Sequence, residues 1–129
     1  MAQGVIGLTN GITQVLITPA SNFFGVVQLT QYPTQLLFVS AGTTGSAARW
    51  VKFYDVANVN FSGGNTAVGQ MIVPGNANGG GTNLHMSPGP PTVSGAQFNA
   101  GLALAVTTNM AAQDNSGASG DTSVWLGYR

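Results

Sequence analysis

The feature of this sequence that most restricts its fold is the length of its apolar runs. Almost every run has four to eight residues, is rich in Val and aromatic residues, and ends at Gly, Pro, Asn or Ser. Such runs are typical of β-strands and are too short for a helix of ten or more residues. The chain is therefore predicted to be all-β, with strands at 5–8, 14–18, 24–29, 35–40, 49–56, 68–73, 83–87, 96–107 and 123–128.

The spacing of these runs predicts how the chain is organised. Seven to nine short strands separated by turn residues are typical of a single antiparallel β-sandwich or a jelly-roll-like domain. A length of 129 residues fits one such domain. Residues 1–24 are more loosely patterned and are predicted to be an N-terminal arm or the first strands, and residues 25–129 to be the sandwich. Two Gly-rich segments, 75–81 and 114–121, are predicted to be surface loops.

Two predicted strands alternate clearly enough for their faces to be assigned. In the strand at 49–56, Val51 and Phe53 fall on the side predicted to face the core. The opposite side of this strand carries Trp50, Lys52 and Tyr54. In residues 101–107, large apolar residues alternate with Ala103 and Ala105. A row of small residues lets a neighbouring surface approach closely.

The scarcity of charge limits the classes of partner. The chain has three basic and three acidic residues, all three acids being Asp, whereas soluble domains are typically about a quarter charged. Three basic side chains cannot neutralise several phosphates or form a polybasic membrane patch, and no apolar run approaches the length of a membrane span. The sequence therefore predicts no nucleic-acid and no membrane partner. Near-zero net charge favours association, so self-association is expected.

The same inventory predicts a protein that is not an enzyme. There is no Cys, and His85 is the only histidine, so a zinc site with several His or Cys ligands is excluded. No Gly-x-Ser-x-Gly motif marks a nucleophilic serine. Asp114 and Asp121 are interpreted as solvated loop residues, because a calcium site needs more oxygen ligands, and Asp55 as a turn residue that binds its own backbone. No catalytic, cofactor-binding or metal-ligating residue is predicted, and no cofactor.

The residues that stand out are candidates for an interface. Two short apolar pieces near the N-terminus would be poorly soluble unless buried, and exposed Trp and Tyr are enriched at protein interfaces. An equally weighted alternative is that a loop or the N-terminal arm covers the aromatic side chains, which would make them part of the core. The candidate interface residues are Val5, Ile6, Leu8, Val15, Ile17, Trp50, Tyr54 and Trp125.

Residues 36–129 resemble the small β-sandwich virion proteins of tailed bacteriophages. The resemblance rests on a Val-Lys-Phe-Tyr-Asp strand at 51–55, a Phe-x-x-Gly-Leu strand at 98–102 and a terminal Val-x-Leu-x-Tyr strand at 124–128. A Met-Ile-Val-Pro sequence at 71–74, before a Gly-rich turn, belongs to the same succession. The chain departs from the pattern in its first 35 residues and in the Pro/Gly stretch at 87–91. This is a pattern of strands, with no catalytic residue to carry over.

The resemblance implies a structural part of a phage particle. The expected role is a capsid decoration (cement) protein on the capsid exterior, made in the bacterial host cytoplasm, that binds the major capsid protein and itself as a homotrimer or homodimer. The alternative is a receptor- or carbohydrate-binding knob of a head fibre, collar or tail, with the aromatic residues as its platform. A small enzyme is the third class and has the least support in the sequence.

Overall fold

The computed structural model describes residues 2–9, 11–18, 26–59, 65–75, 82–86, 96–111 and 121–129. These residues form ten strands and no helix, and every strand pairing is antiparallel. The prediction of an all-β antiparallel protein is confirmed. None of the described residues belongs to a helix long and apolar enough to cross a membrane. The strands are β1 (Ala2–Thr9), β2 (Ile12–Thr18), β3 (Val27–Gln28), β4 (Thr34–Thr43), β5 (Arg49–Asp55), β6 (Gly69–Val73), β7 (Thr82–Met86), β8 (Ala96–Phe98), β9 (Leu102–Thr107) and β10 (Thr122–Tyr128).

The strands form two sheets. The six-stranded sheet has the order β1-β2-β10-β4-β7, with β8 also paired to β4, and the four-stranded sheet has the order β3-β9-β5-β6. The first two strands form a hairpin through Gly11, which has a positive φ of 76°. Strand β2 then pairs with β10 from Ile17 to Thr13. Residues 2–9 and 12–18 are therefore strands of the six-stranded sheet.

One hydrophobic core lies between the two sheets. Val15, Val39 and Val124 enter it from the six-stranded sheet, and Val51 and Leu104 enter it from the four-stranded sheet, all of them 0% exposed. Burying an aliphatic side chain of this kind stabilises the fold by about 1.5–3 kcal/mol. The predicted inward side of the strand at 49–56 is confirmed, because its Val and Phe both belong to this core.

The outer face of the four-stranded sheet is covered along β9 and at Tyr54, whereas Ile72 on the edge strand β6 is 49% exposed. Tyr54, Ala103 and Ala105 are each 0% exposed and form a second apolar cluster with Val26 and Val59. In the register of β5 and β9, Tyr54 lies opposite Ala103. The large ring of Tyr54 therefore lies beside the small side chain of Ala103, and this leaves room for Val26 and Val59 to cover this part of the sheet. For Tyr54 this is the alternative in which the side chain is part of the core, whereas Trp50 on the same side of the strand is half-buried.

The segment predicted as one strand at 96–107 divides into two. Strand β8 pairs with β4 in one sheet and β9 pairs with β5 in the other, so the chain changes sheets between them. At Gly101, a Cβ would lie 2.6 Å from the carbonyl oxygen of Thr30 and 2.7 Å from that of Val56. Only glycine fits so close to two backbones, and this approach fixes the position of the crossing.

Part of the predicted strand at 24–29 is seen, since residues 24 and 25 lie outside the described residues. Among residues 26–29, only Val27 and Gln28 pair with β9. The backbone N–H groups of Leu29 and Thr30 both donate to the carbonyl of Leu102, at 2.8 and 3.1 Å, which ends the regular ladder. Of the predicted Gly-rich loops, residues 76–81 and 114–120 lie outside the described residues, as does the Pro/Gly stretch at 87–91.

Candidate interface on the outer face of the six-stranded sheet

The outer face of the six-stranded sheet carries an exposed apolar surface. Strand β10 runs between β2 and β4, and in this register Trp125 lies opposite Leu16 on one side and Ser40 on the other. Because their chain neighbours face the core, these three side chains face outward. Trp125 is 43% exposed and Leu16 is 37% exposed. We call the surface formed by Leu16, Phe38, Ser40, Ser123 and Trp125 the aromatic face.

A glycine sets the position of the second aromatic ring. Gly127 lies opposite Phe38, and a Cβ on Gly127 would overlap the Phe38 ring. The ring therefore lies over the backbone of β10 and meets Trp125 in a T-shaped contact, with ring centroids 5.5 Å apart and planes at 80°. Aromatic pairs favour this geometry. The contact holds Trp125 from one side and leaves part of it in solvent.

A shallow hollow lies beside Trp125. Its volume is about 330 Å³, and it is lined by Leu16, Ser40, Ala41, Gly42, Thr44, Ser123 and Trp125. None of these residues is charged. The hollow offers apolar surface and three hydroxyl groups, which suits contact with a neutral surface. None of these described lining residues has a titratable group for acid–base chemistry.

A second hollow, of about 360 Å³, opens between the edges of the two sheets near Phe53, Val68 and Phe98. Among the described residues that line it, Asp55 is the ionisable one, and its carboxylate accepts hydrogen bonds from the backbone N–H of Ala100 at 2.7 Å and of Gly101 at 3.4 Å. The carboxylate therefore holds the chain where it changes sheets. The interpretation of Asp55 as a residue that binds its own local turn is wrong, because its partners lie 45 and 46 positions away.

The electrostatics of Asp55 follow from these contacts. Partial burial acts to raise the pKa of its carboxyl group, but the backbone N–H donors at residues 99–101 outweigh it. The pKa of Asp55 is therefore held below its usual value of 3.8. The group is a structural anion at neutral pH.

The other charged side chains of the described residues are also occupied by the fold. Arg49 donates to both carboxylate oxygens of Asp121, at 3.2 and 2.6 Å, so Asp121 is an ion-pair partner and not a solvated loop residue. Lys52 is 0% exposed and donates to the carbonyl of Ala111 at 2.5 Å. Arg129 donates to the side chain of Gln35 at 2.9 Å. Among the described residues, no group of three or more His, Asp or Glu side chains is placed to hold a metal ion.

The structure separates the candidate interface residues. Trp125 is exposed on the six-stranded sheet, whereas Trp50 is half-buried and Tyr54 is buried on the four-stranded sheet, so the three aromatic residues do not form one platform. Val15 and Ile17 are 0% and 1% exposed in the core between the sheets and are not accessible to a partner in the folded chain.

The remaining candidates lie on the first strand. Val5, Ile6 and Leu8 lie on β1, next to β2, with a β-bulge between Val5 and Gly7. Leu16 and Phe38, which complete the aromatic face, were not candidates in the sequence. The sequence signal for Leu16 is the alternation in residues 14–18. If Val15 and Ile17 face inward, Leu16 between them must face outward.

No protein-family model, no curated protein and no solved structure matches this chain.

Proposed function

We propose that the protein is a structural component of a tailed-phage particle, a decoration protein that oligomerises on the capsid exterior and stabilises the shell. The observation that carries this proposal is the aromatic face, an uncharged surface of exposed Trp125 and Leu16 on a rigid sheet. Exposed apolar surface of this kind is typical of contact sites between proteins. The resemblance of residues 36–129 to virion β-sandwich proteins supplies the setting, with the two sheets as the sandwich.

The distribution of charge supports a structural role. Arg49 and Asp121 pair with each other, Lys52 is buried, and Asp55 binds backbone N–H groups. These charges are used to hold the fold. A subunit kept in place by many repeated neighbours does not depend on surface charge, because weak contacts repeated over a shell add up to slow disassembly.

The alternative of a receptor- or carbohydrate-binding knob has less support. It was expected to use Trp50, Tyr54 and Trp125 as one platform, and these three residues are divided between two sheets. Among the described residues, the pair of Phe38 and Trp125 is the aromatic contact on an outer sheet face that a sugar ring would meet.

The test is to prepare particles with and without the protein. Decoration predicts hundreds of copies in complete particles, and it predicts that particles lacking the protein assemble but release DNA at a lower temperature. Resupplying the intact protein should restore the release temperature. Equal heat survival together with lost adsorption to cells would support the knob instead. Absence of the protein from purified particles would overturn both.

A further inference from the structure

We propose that the aromatic face binds a second copy of this chain, in a two-fold symmetric dimer in which Trp125 of each copy enters the hollow beside Trp125 of the other. The inference rests on the self-association contained in the proposed function. It adds the contact surface and its symmetry.

The first support is self-complementarity. In a two-fold dimer the same patch meets itself, so one patch must carry both the protruding group and the site that receives it. The aromatic face does so, because the partly exposed Trp125 borders a hollow of about 330 Å³. A two-fold axis passing beside the ring would bring each Trp125 over the other copy's hollow and place the two rings next to each other.

The second support is charge. The residues that define the aromatic face, and the described residues that line the hollow, are all uncharged. When these residues meet their copies, no like charges are brought together among them and no unpaired charge is buried. A strongly acidic or basic partner would find no counter-charge among these residues. The hydroxyl groups of Ser40, Ser123 and Thr44 border the apolar centre, as in interfaces with a polar rim.

The third support is rigidity. Trp125 lies on β10, which is hydrogen-bonded to strands on both sides, and its ring is held against Phe38. Such a side chain loses little freedom when it is buried, so more of the contact energy appears as affinity. Tryptophan residues at the centre of an interface commonly dominate the affinity of the complex.

The experiment measures self-association of the full chain by sedimentation velocity over a range of protein concentrations. The expected result is a concentration-dependent dimer. Trp125→Ser should weaken dimerisation at least about 30-fold, as expected for a central interface tryptophan. The matched control is Ile72→Ser, which removes a 49% exposed apolar side chain from the four-stranded sheet and should leave the dimer unchanged.

Two further variants make the test independent of folding defects. Ser123→Glu places a like charge in both hollows of the dimer and should dissociate it, while circular dichroism stays that of the intact chain. Trp50→Phe leaves Trp125 as the only tryptophan. In that background the emission of Trp125 should shift to shorter wavelength as the dimer forms.

Several outcomes would overturn the inference. A chain that stays monomeric at every concentration would do so, as would a dimer that Ser123→Glu and Trp125→Ser leave intact. If those variants still dimerise but fail to bind particles, the aromatic face belongs to the capsid shell. A monomeric chain present in hundreds of copies on particles would remove this inference and leave the proposed function standing. A Trp125-dependent dimer absent from particles would do the reverse.

Discussion

The two sheets share one core but differ in what lies on their outer faces. On the four-stranded sheet, Lys52, Tyr54 and Ala103 are all 0% exposed. On the six-stranded sheet, Leu16 and Trp125 at comparable outward positions are 37% and 43% exposed. Strand β9 is accordingly buried at all six positions, while β10 alternates over its first half. A strand buried on both faces is apolar throughout, whereas one that faces solvent on one side alternates.

The difference shows what decides whether a sheet face is covered within the chain. Two of the three outward positions of β9 are alanines, and this low surface allows Tyr54, Val26 and Val59 to pack closely. The outward positions of β10 are Ser123, Trp125 and Gly127, which leave an uneven surface with a hollow. We conclude that β5 and β9 at the centre of the four-stranded sheet contribute to stability on both faces, and that β10 at the centre of the six-stranded sheet keeps one face open.

The largest effect that tests this division is expected at Tyr54. Replacing Tyr54 with Ala should lower the free energy of unfolding by about 3–5 kcal/mol, the range for removing a buried aromatic ring, because the second apolar cluster loses its largest member. Chemical denaturation measures this change. The control is Tyr32→Ala, which removes the same side chain where it is 58% exposed and should change stability by about 0.5 kcal/mol or less. Equal losses at the two positions would mean that the outer face of the four-stranded sheet is open in solution.

The fold was more predictable from sequence than the site. Short Val-rich runs predicted nine strand segments, because alternation is a local property of the chain. The division of residues 96–107 was not predictable, since it depends on Asp55 and on the carbonyls that approach Gly101, all distant in sequence. For Tyr54, covering and exposure were equally weighted, because alternation assigns a side chain to a face and does not show what covers that face.

The ion pair that joins the two sheets should give the next largest effect. Arg49 begins β5 in the four-stranded sheet, and Asp121 immediately precedes β10 in the six-stranded sheet, with side chains 11% and 17% exposed. A double-mutant cycle with Arg49→Met and Asp121→Ala should give a coupling energy of about 1.5–3 kcal/mol, the range for hydrogen bonds to charged groups. Additive effects of the two substitutions would show that the sheets are held together without this pair.

Replacing one glycine in each sheet with Ala tests how much room each sheet leaves for a single methyl group. Gly127→Ala should destabilise the protein by about 1 kcal/mol or more, because the new Cβ displaces the Phe38 ring from β10. Gly69→Ala on the four-stranded sheet adds a Cβ with nothing within 4 Å and should be neutral or slightly stabilising. Denaturation curves of both variants and the near-ultraviolet circular dichroism of Trp125 measure the difference. If Gly127→Ala leaves the free energy of unfolding unchanged, Phe38 does not depend on this glycine for its position beside Trp125.

The smallest effect is expected at the crossing between the sheets, and it depends on pH. The pKa of Asp55 is lowered in the folded chain, so its carboxylate stabilises the fold above the usual pKa of 3.8, and this contribution is lost as pH falls through the folded value. Because the group lies near the surface, the loss is modest. Asp55→Asn should reduce stability at neutral pH and flatten the decline of stability in acid, since its amide does not titrate. Denaturation of both proteins between neutral and acidic pH measures the two slopes. If the stability of Asp55→Asn falls in acid as steeply as that of the intact protein, the charge of Asp55 does not help the backbone N–H groups of Ala100 and Gly101 to hold the segment that crosses between the sheets.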